Sequence, residues 1–213
     1  MSIKLVIFDL DGTLVNSIKD ITNSLNYATG PFGLAPKTVD EVAALVGEGT
    51  TKVIERVIGE ERLQYRDEVV KRFLEFYSDH IVDNTFPYPG VRETLESLNG
   101  YKKAVISNKR EALSIKALEA LDLLRFFDLI IGSDSTSERK PSPVPVLHVL
   151  SKLGLNQQDA VMVGDSDLDI AAGKSAGIKT VGVTYGYRER EYLRDANFII
   201  DDIKELPKLI KEL

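Results

Sequence analysis

The sequence predicts an α/β protein: a doubly wound, Rossmann-like parallel sheet core with a small all-helical cap inserted after the first strand. Three observations support this. Short apolar runs recur along the chain, helical patterns separate most of them, and one long stretch near the N-terminus is helical in pattern throughout.

The first run covers residues 5–8, and similar runs follow at 104–106, 129–131, 161–163, 180–183 and 198–200. Each is nearly continuous in apolar residues, as strands covered on both faces are. Helical spacing appears between most of them, at 91–98, 112–123, 144–153, 168–176 and 203–213. Strands alternating with helices imply parallel pairing through crossover connections. Residues 16–85 differ, because apolar side chains recur there at helical spacing: Ile18, Ile21 and Leu25; Val39, Val42 and Val46; Val53, Ile54 and Val57; Val70, Phe73 and Phe76. The polar break after Val15 and the turn-rich residues 83–90 bound this insertion. The expected division is therefore a catalytic core of residues 1–15 and 86–213 and a helical cap of residues 16–85.

A chain of 213 residues with 43% apolar and 28% charged residues is long enough for one sizeable core plus a smaller insertion, and it carries no low-complexity tract. Its formal net charge of −6 argues against a nucleic-acid partner, which calls for a basic surface. The absence of cysteine removes disulfides, thiolate nucleophiles and thiolate metal sites. The first apolar run is too short for a secretory signal core, and no run approaches membrane-spanning length. A cytoplasmic protein with no membrane partner is expected, either monomer or homodimer.

Four polar clusters follow predicted strands or their adjoining loops. Asp9-Leu10-Asp11-Gly12-Thr13 follows the first strand, and two carboxylates there need a cation or a shared proton; magnesium, which prefers oxygen ligands, would serve. An aspartate-rich turn is the alternative. Gly164-Asp165-Ser166-Asp167-Leu168-Asp169 opens a helix, where acids also serve as caps and first-turn partners of the helix dipole, and Asp167 is assigned that structural role. Lys140, before Pro141, reads either as a cation for phosphate oxygens or as a solvated lysine. Ser107-Asn108 reads either as a phosphate cradle or as an ordinary turn. Joint position favours the functional readings, because ligands in open α/β sheets bind beyond the carboxyl ends of the strands, where all four clusters can converge. His80 and His148 fall on helical patterns and are assigned no role.

The ordered set Asp9-x-Asp11-Gly12-Thr13, Ser107-Asn108, Lys140-Pro141 and Gly164-Asp165-Ser166-x-x-Asp169 resembles the haloacid dehalogenase-like hydrolase superfamily over essentially the whole chain. The helical insertion after the first motif resembles its helical-cap members. The resemblance implies that Asp9 is a nucleophile forming an aspartyl-phosphate and that Asp11 is the acid and base. It implies Mg²⁺ held by Asp9, the main-chain carbonyl of Asp11 and Asp165, with Ser107, Asn108 and Lys140 on phosphate oxygens. Asp169 would orient Lys140 or a metal-bound water. The family's dehalogenases lack an acid matching Asp11, so a phosphatase acting on a small phosphorylated metabolite is implied.

Val46-Gly47-Glu48-Gly49 with Glu55-Arg56, and Thr184-Tyr185-Gly186-Tyr187, are similar to patterns in bacterial phosphoglycolate phosphatases, which points to 2-phosphoglycolate. Gly47 and Gly49 read equally as a flexible link and Arg56 as a solvated helix face. A hexose-phosphate mutase of the superfamily would carry an arginine soon after the cap glycine, whereas Thr50-Thr51-Lys52 follows Gly49 here. An inorganic pyrophosphatase of the same superfamily stays open. A phospho-accepting receiver module has no cap and no acidic pair after its Lys-Pro.

Overall fold

The computed structural model describes residues 2–213. The chain forms two compact units, one holding the N-terminal residues through Asn16 together with Pro87–Leu213, the other Ser17–Phe86.

The larger unit is built on strands β1 (Leu5–Phe8), β4 (Lys102–Ile106), β5 (Leu129–Ile131), β6 (Ala160–Gly164), β7 (Lys179–Val183) and β8 (Phe198–Ile200), with the two-residue strands β2 (Val15–Asn16) and β3 (Phe86–Pro87) near the unit boundary. The six longer strands form one sheet in the order β5-β4-β1-β6-β7-β8, every pair parallel. β1 is central, with Phe8 beside Val105 of β4 and Val163 of β6.

Because side chains alternate along a strand, β1 feeds two cores. Val6 and Phe8 pack with Val91 and Leu95 of α5 (Val91–Ser97), Leu118 of α6 (Glu111–Ala120), and Leu206 and Ile210 of α9 (Leu206–Glu212). Leu5 and Ile7 face the opposite layer, with Val146, Val149 and Leu150 of α7 (Val144–Leu153) and Ala172 of α8 (Asp167–Ser175). Helices on both faces explain why all four residues of β1 are apolar and buried.

Three details depart from the sequence pattern. The helix expected over 112–123 stops at Ala120, because Asp122 turns left-handed (φ 55°) and Leu123 N–H donates back to the Leu118 carbonyl at 2.8 Å. The segment expected as one helix from residue 203 opens with a 3₁₀ turn, Ile203–Glu205, before α9. The strands β2 and β3 are too short to leave a periodic signal.

The smaller unit contains α1 (Ile18–Thr29), α2 (Val39–Leu45), α3 (Thr50–Ile58) and α4 (Arg66–Asp79). Ile21, Leu25, Val42, Ile54, Val69, Phe73 and Tyr77 are buried within it. The buried carboxylate of Asp20 accepts from the main-chain N–H and side-chain amide of Asn84 and from the N–H and hydroxyl of Thr85, all within 3.1 Å. Four donor groups on one carboxylate offset its loss of solvent and tie the end of this unit to its first helix.

Candidate active site

Chain order runs outward from β1 through β4 to β5, then returns to β6 on the other side and continues to β8. The crevice at such a reversal lies beyond the carboxyl ends of β1, β4 and β6. Asp9 prolongs the ladder by one residue, its N–H donating to the Val163 carbonyl at 2.9 Å. The chain then turns sharply, with the Leu10 carbonyl accepting from Leu14 and Val15 and the Gly12 N–H donating to Val15.

Two glycines make room for Asp165. Gly12 adopts φ 90°, which favours glycine, and a Cβ there would overlap the Asp165 carboxylate. A Cβ on Gly186 would overlap the Cβ of Asp165 and approach the Gly12 carbonyl. Asp165 thus lies between the loop after β1 and the loop after β7. Its Oδ2 accepts from the Tyr187 N–H at 2.8 Å and its Oδ1 from the Thr13 hydroxyl at 3.3 Å. The Tyr185 phenol donates to the Thr13 carbonyl at 3.0 Å and pins the same loop.

Lys140 occupies the centre of the cluster and is buried. Its Nζ lies 2.7 Å from Asp9 Oδ1 and 2.6 Å from Asp169 Oδ1. The second oxygen of Asp169 accepts from the N–H and hydroxyl of Ser166, the N-cap of α8. Asp169 is therefore committed on both oxygens to holding Lys140 and the start of its own helix. Asp167, at the first position of α8, is the acid that complements the helix dipole, while the cap itself is Ser166. On the other side, the Asn108 amide donates to the Lys140 carbonyl at 2.9 Å and binds the Lys140 loop to the end of β4. Buried Ser107 accepts from the Lys109 N–H at 3.2 Å.

The side chain of Asp11 points elsewhere. It pairs with Lys109, Nζ to Oδ1 at 2.6 Å. Lys109 received no role from the sequence; its only signal there was a charge directly after Ser107-Asn108.

Asp9, Asp165 and Asp169 bring carboxylate oxygens within 4.8 Å of one another, so three formal negative charges face the single ammonium of Lys140. The consequence is visible in their proton affinities. Burial, then the nearby Asp169, raises the Asp9 carboxyl well above the usual range, although Lys140 opposes it. Burial and Asp169 also push Asp165 up to about 7. Burial works against the Lys140 charge, but Asp169 and Asp9 more than offset it and hold Lys140 protonated. The phenols of Tyr88 and Tyr185 are raised by burial and then by Asp165, and both stay neutral.

Gly47, Gly49 and Arg56 belong to the smaller unit. Arg56 pairs there with Glu48, beside a second group in which Lys52 and Arg66 share Glu55. No helix among the described residues is long and apolar enough to cross a membrane.

Residues 6–183 match the family model for haloacid dehalogenase-like hydrolases. The chain is 44% identical over 186 residues to a phosphoglycolate phosphatase of Aquifex aeolicus, covering 86% of each chain. It is 38% identical to a phosphoglycolate phosphatase of Chromobacterium violaceum, covering 98% of this chain and 97% of the relative. Among solved structures, a predicted phosphoglycolate phosphatase from Haemophilus somnus superposes with a TM-score of 0.91 at 31% identity, covering 98% of both chains.

Proposed function

The chain belongs to the haloacid dehalogenase-like hydrolases and is a phosphoric monoester hydrolase, and from that premise we propose that it is a Mg²⁺-dependent phosphatase that cleaves 2-phosphoglycolate through an aspartyl-phosphate on Asp9. We further read Ser17–Phe86 as the cap domain and the remainder as the catalytic core.

The observation that carries the reading is the division of the acids. Asp9 is gripped by Lys140 at the end of the central strand, Asp165 shares its cluster, and Asp11 stands apart on Lys109. The residues suit a divalent cation: with Lys140 counted, the cluster holds an excess of two formal negative charges, and its donors are all oxygen. Asp9, Asp165 and the main-chain carbonyl of Asp11 would hold Mg²⁺, while Asp169 is taken up by its ion pair with Lys140 and by the N–H and hydroxyl of Ser166. When bound, the ion supplies positive charge to phosphoryl oxygens and relieves the repulsion between them and the carboxylates.

The chain's own groups do the rest. The Asp9 carboxylate attacks phosphorus as the bond to the leaving oxygen breaks. Asp11 gives that oxygen its proton, releasing an alcohol; for 2-phosphoglycolate this is glycolate. Asp11, now ionised, takes a proton from water, whose oxygen attacks phosphorus and frees Asp9 and inorganic phosphate. Lys140 holds Asp9 in place and opposes the rise in its proton affinity, and with Ser107 and Asn108 it faces the phosphoryl oxygens.

The preference for 2-phosphoglycolate over pyrophosphate and hexose phosphates is supported by the relatives and by Thr184–Tyr187, whose Gly186 and Tyr187 enclose Asp165. The test is kcat/KM over a panel of phosphorylated metabolites with Mg²⁺, repeated with Asp9→Asn. Turnover retained by the variant would overturn the mechanism, and a better substrate elsewhere in the panel would overturn the substrate.

A further inference from the structure

We propose that Lys109 is a positioning residue for Asp11, holding the acid–base carboxyl in the orientation from which it protonates the leaving group. The inference rests on the phosphatase reading above and adds a residue to it.

Lysine is almost never buried without a partner, because its long side chain normally reaches water. Here the Lys109 side chain is 7% exposed, and its ammonium lies 2.6 Å from Asp11 Oδ1, itself on a side chain only 12% exposed. The main chain beneath it is fixed on both sides: the Lys109 N–H donates to Ser107 Oγ at 3.2 Å, and its carbonyl accepts from the Ser133 N–H at 2.9 Å. Ser107 N–H in turn donates to the Ile131 carbonyl at 2.9 Å. The ends of β4 and β5 therefore set where the ammonium stands, and the ammonium limits the rotations open to the Asp11 carboxyl.

Asp11 needs such a constraint more than Asp9 does. Asp9 is aligned by the strand ladder and by Lys140, whereas Asp11 sits in a turn, where a carboxyl on two rotatable bonds has several staggered positions. General-acid transfer requires the proton within hydrogen-bond reach of the leaving oxygen as the bond to phosphorus breaks. A second cation serving only to balance the cluster would sit among Asp9, Asp165 and Asp169, where Lys140 already is; Lys109 is instead on Asp11, outside that cluster.

The role predicts a dependence on the leaving group. An alkoxide must be protonated as it departs, whereas 4-nitrophenolate leaves without a proton, and kcat/KM reports the steps through that departure. Lys109→Met and Lys109→Arg are compared with wild type on 2-phosphoglycolate, glycerol 2-phosphate and 4-nitrophenyl phosphate at saturating Mg²⁺. Lys109→Met should lose about 10- to 100-fold in kcat/KM on both alkyl phosphates and less than about 3-fold on the nitrophenyl ester. Lys109→Arg, which keeps the charge, should recover part of the loss. Equal losses on all three substrates would assign Lys109 to phosphate binding or to the fold and sink the proposal. A loss confined to 2-phosphoglycolate would make it a ligand of the substrate carboxylate, which also sinks it, as does no loss at all. Should Lys109→Met fail to fold by circular dichroism, Lys109→Arg carries the same comparison, with a shifted guanidinium expected to penalise the alkyl phosphates selectively. An Asp9→Asn control that retains turnover would instead remove the phosphatase mechanism itself.

Discussion

Replacing Asp165 with Asn measures the stability that this site gives up for chemistry. Asp165 is 3% exposed, and burial with the neighbouring Asp169 brings its carboxyl from an ordinary 3.8 to about 7. A carboxyl that holds its proton more tightly in the fold than in the unfolded chain favours the fold fully below the unfolded value of 3.8. That contribution is withdrawn as pH rises through about 7. The gap between 7 and 3.8, at about 1.4 kcal/mol per tenfold change in proton affinity, amounts to about 4 kcal/mol removed from the metal-free fold near pH 8.

Asn cannot ionise, so the variant escapes this loss. Its carbonyl oxygen can keep the Tyr187 N–H, and its amide would face the Thr13 hydroxyl, which can rotate to accept, at a cost of about 1 kcal/mol. In chelator, Asp165→Asn should therefore be about 3 kcal/mol more stable than wild type near pH 8, about equal to it near pH 4.5, and about 1 kcal/mol less stable near pH 3. Urea unfolding followed by far-ultraviolet circular dichroism suits a chain without tryptophan. Adding Mg²⁺ at pH 8 should raise wild-type stability and leave the variant nearly unchanged, because an ion that binds only the fold stabilises it by mass action. A variant no more stable than wild type near pH 8, or a difference that does not invert with pH, would refute the charge argument.

Lys140→Met leaves Asp9 and Asp169 buried without their shared cation, and should lower activity at least about 1,000-fold while destabilising the fold more at pH 8 than at pH 5, read by kcat and by thermal melts. Gly186→Ala pushes a methyl group into Asp165 and should cost at least about tenfold in kcat/KM with little change in the circular dichroism spectrum. Asp20→Ala strands four donor groups on Asn84 and Thr85 and should cost about 3 kcal/mol, measured by urea unfolding.

The sheet was legible because each of its six long strands is a dense apolar run, and dense runs follow directly from burial on both faces. Asp9, Ser107 and Asp165 were legible for a related reason: each directly follows such a run, so strand ends marked the site before any contact was known. Lys140 required more, since its loop is separated from the strand at Leu129–Ile131. The features that escaped are those made by distant partners. Lys109 meets Asp11 across 98 residues and Tyr185 meets Thr13 across 172. Neither pairing has a periodicity or composition that would announce it. Gly186 drew notice through resemblance alone, and its physical reason, the space that Asp165 needs, exists only once two loops are folded together.

Lys140 and Lys109 divide the electrostatic work in a way that total charge would not suggest. Lys140 answers two acids and leaves the cluster short of positive charge; burial, and then the neighbouring Asp169, raise the proton affinity of Asp9 and Asp165, and a divalent cation fits the shortfall. Were Lys109 placed there as well, the metal-free fold would gain stability, but the deficit that the proposed Mg²⁺ would fill would shrink and Asp11 would lose that ion pair. Keeping Lys109 on Asp11, outside the cluster, preserves both the deficit and the separation of the proposed nucleophilic carboxylate from the proposed proton-transferring one. Under the proposed mechanism, the instability predicted for the metal-free protein is a direct consequence of the arrangement that would let one aspartate attack while its neighbour two residues on moves the proton.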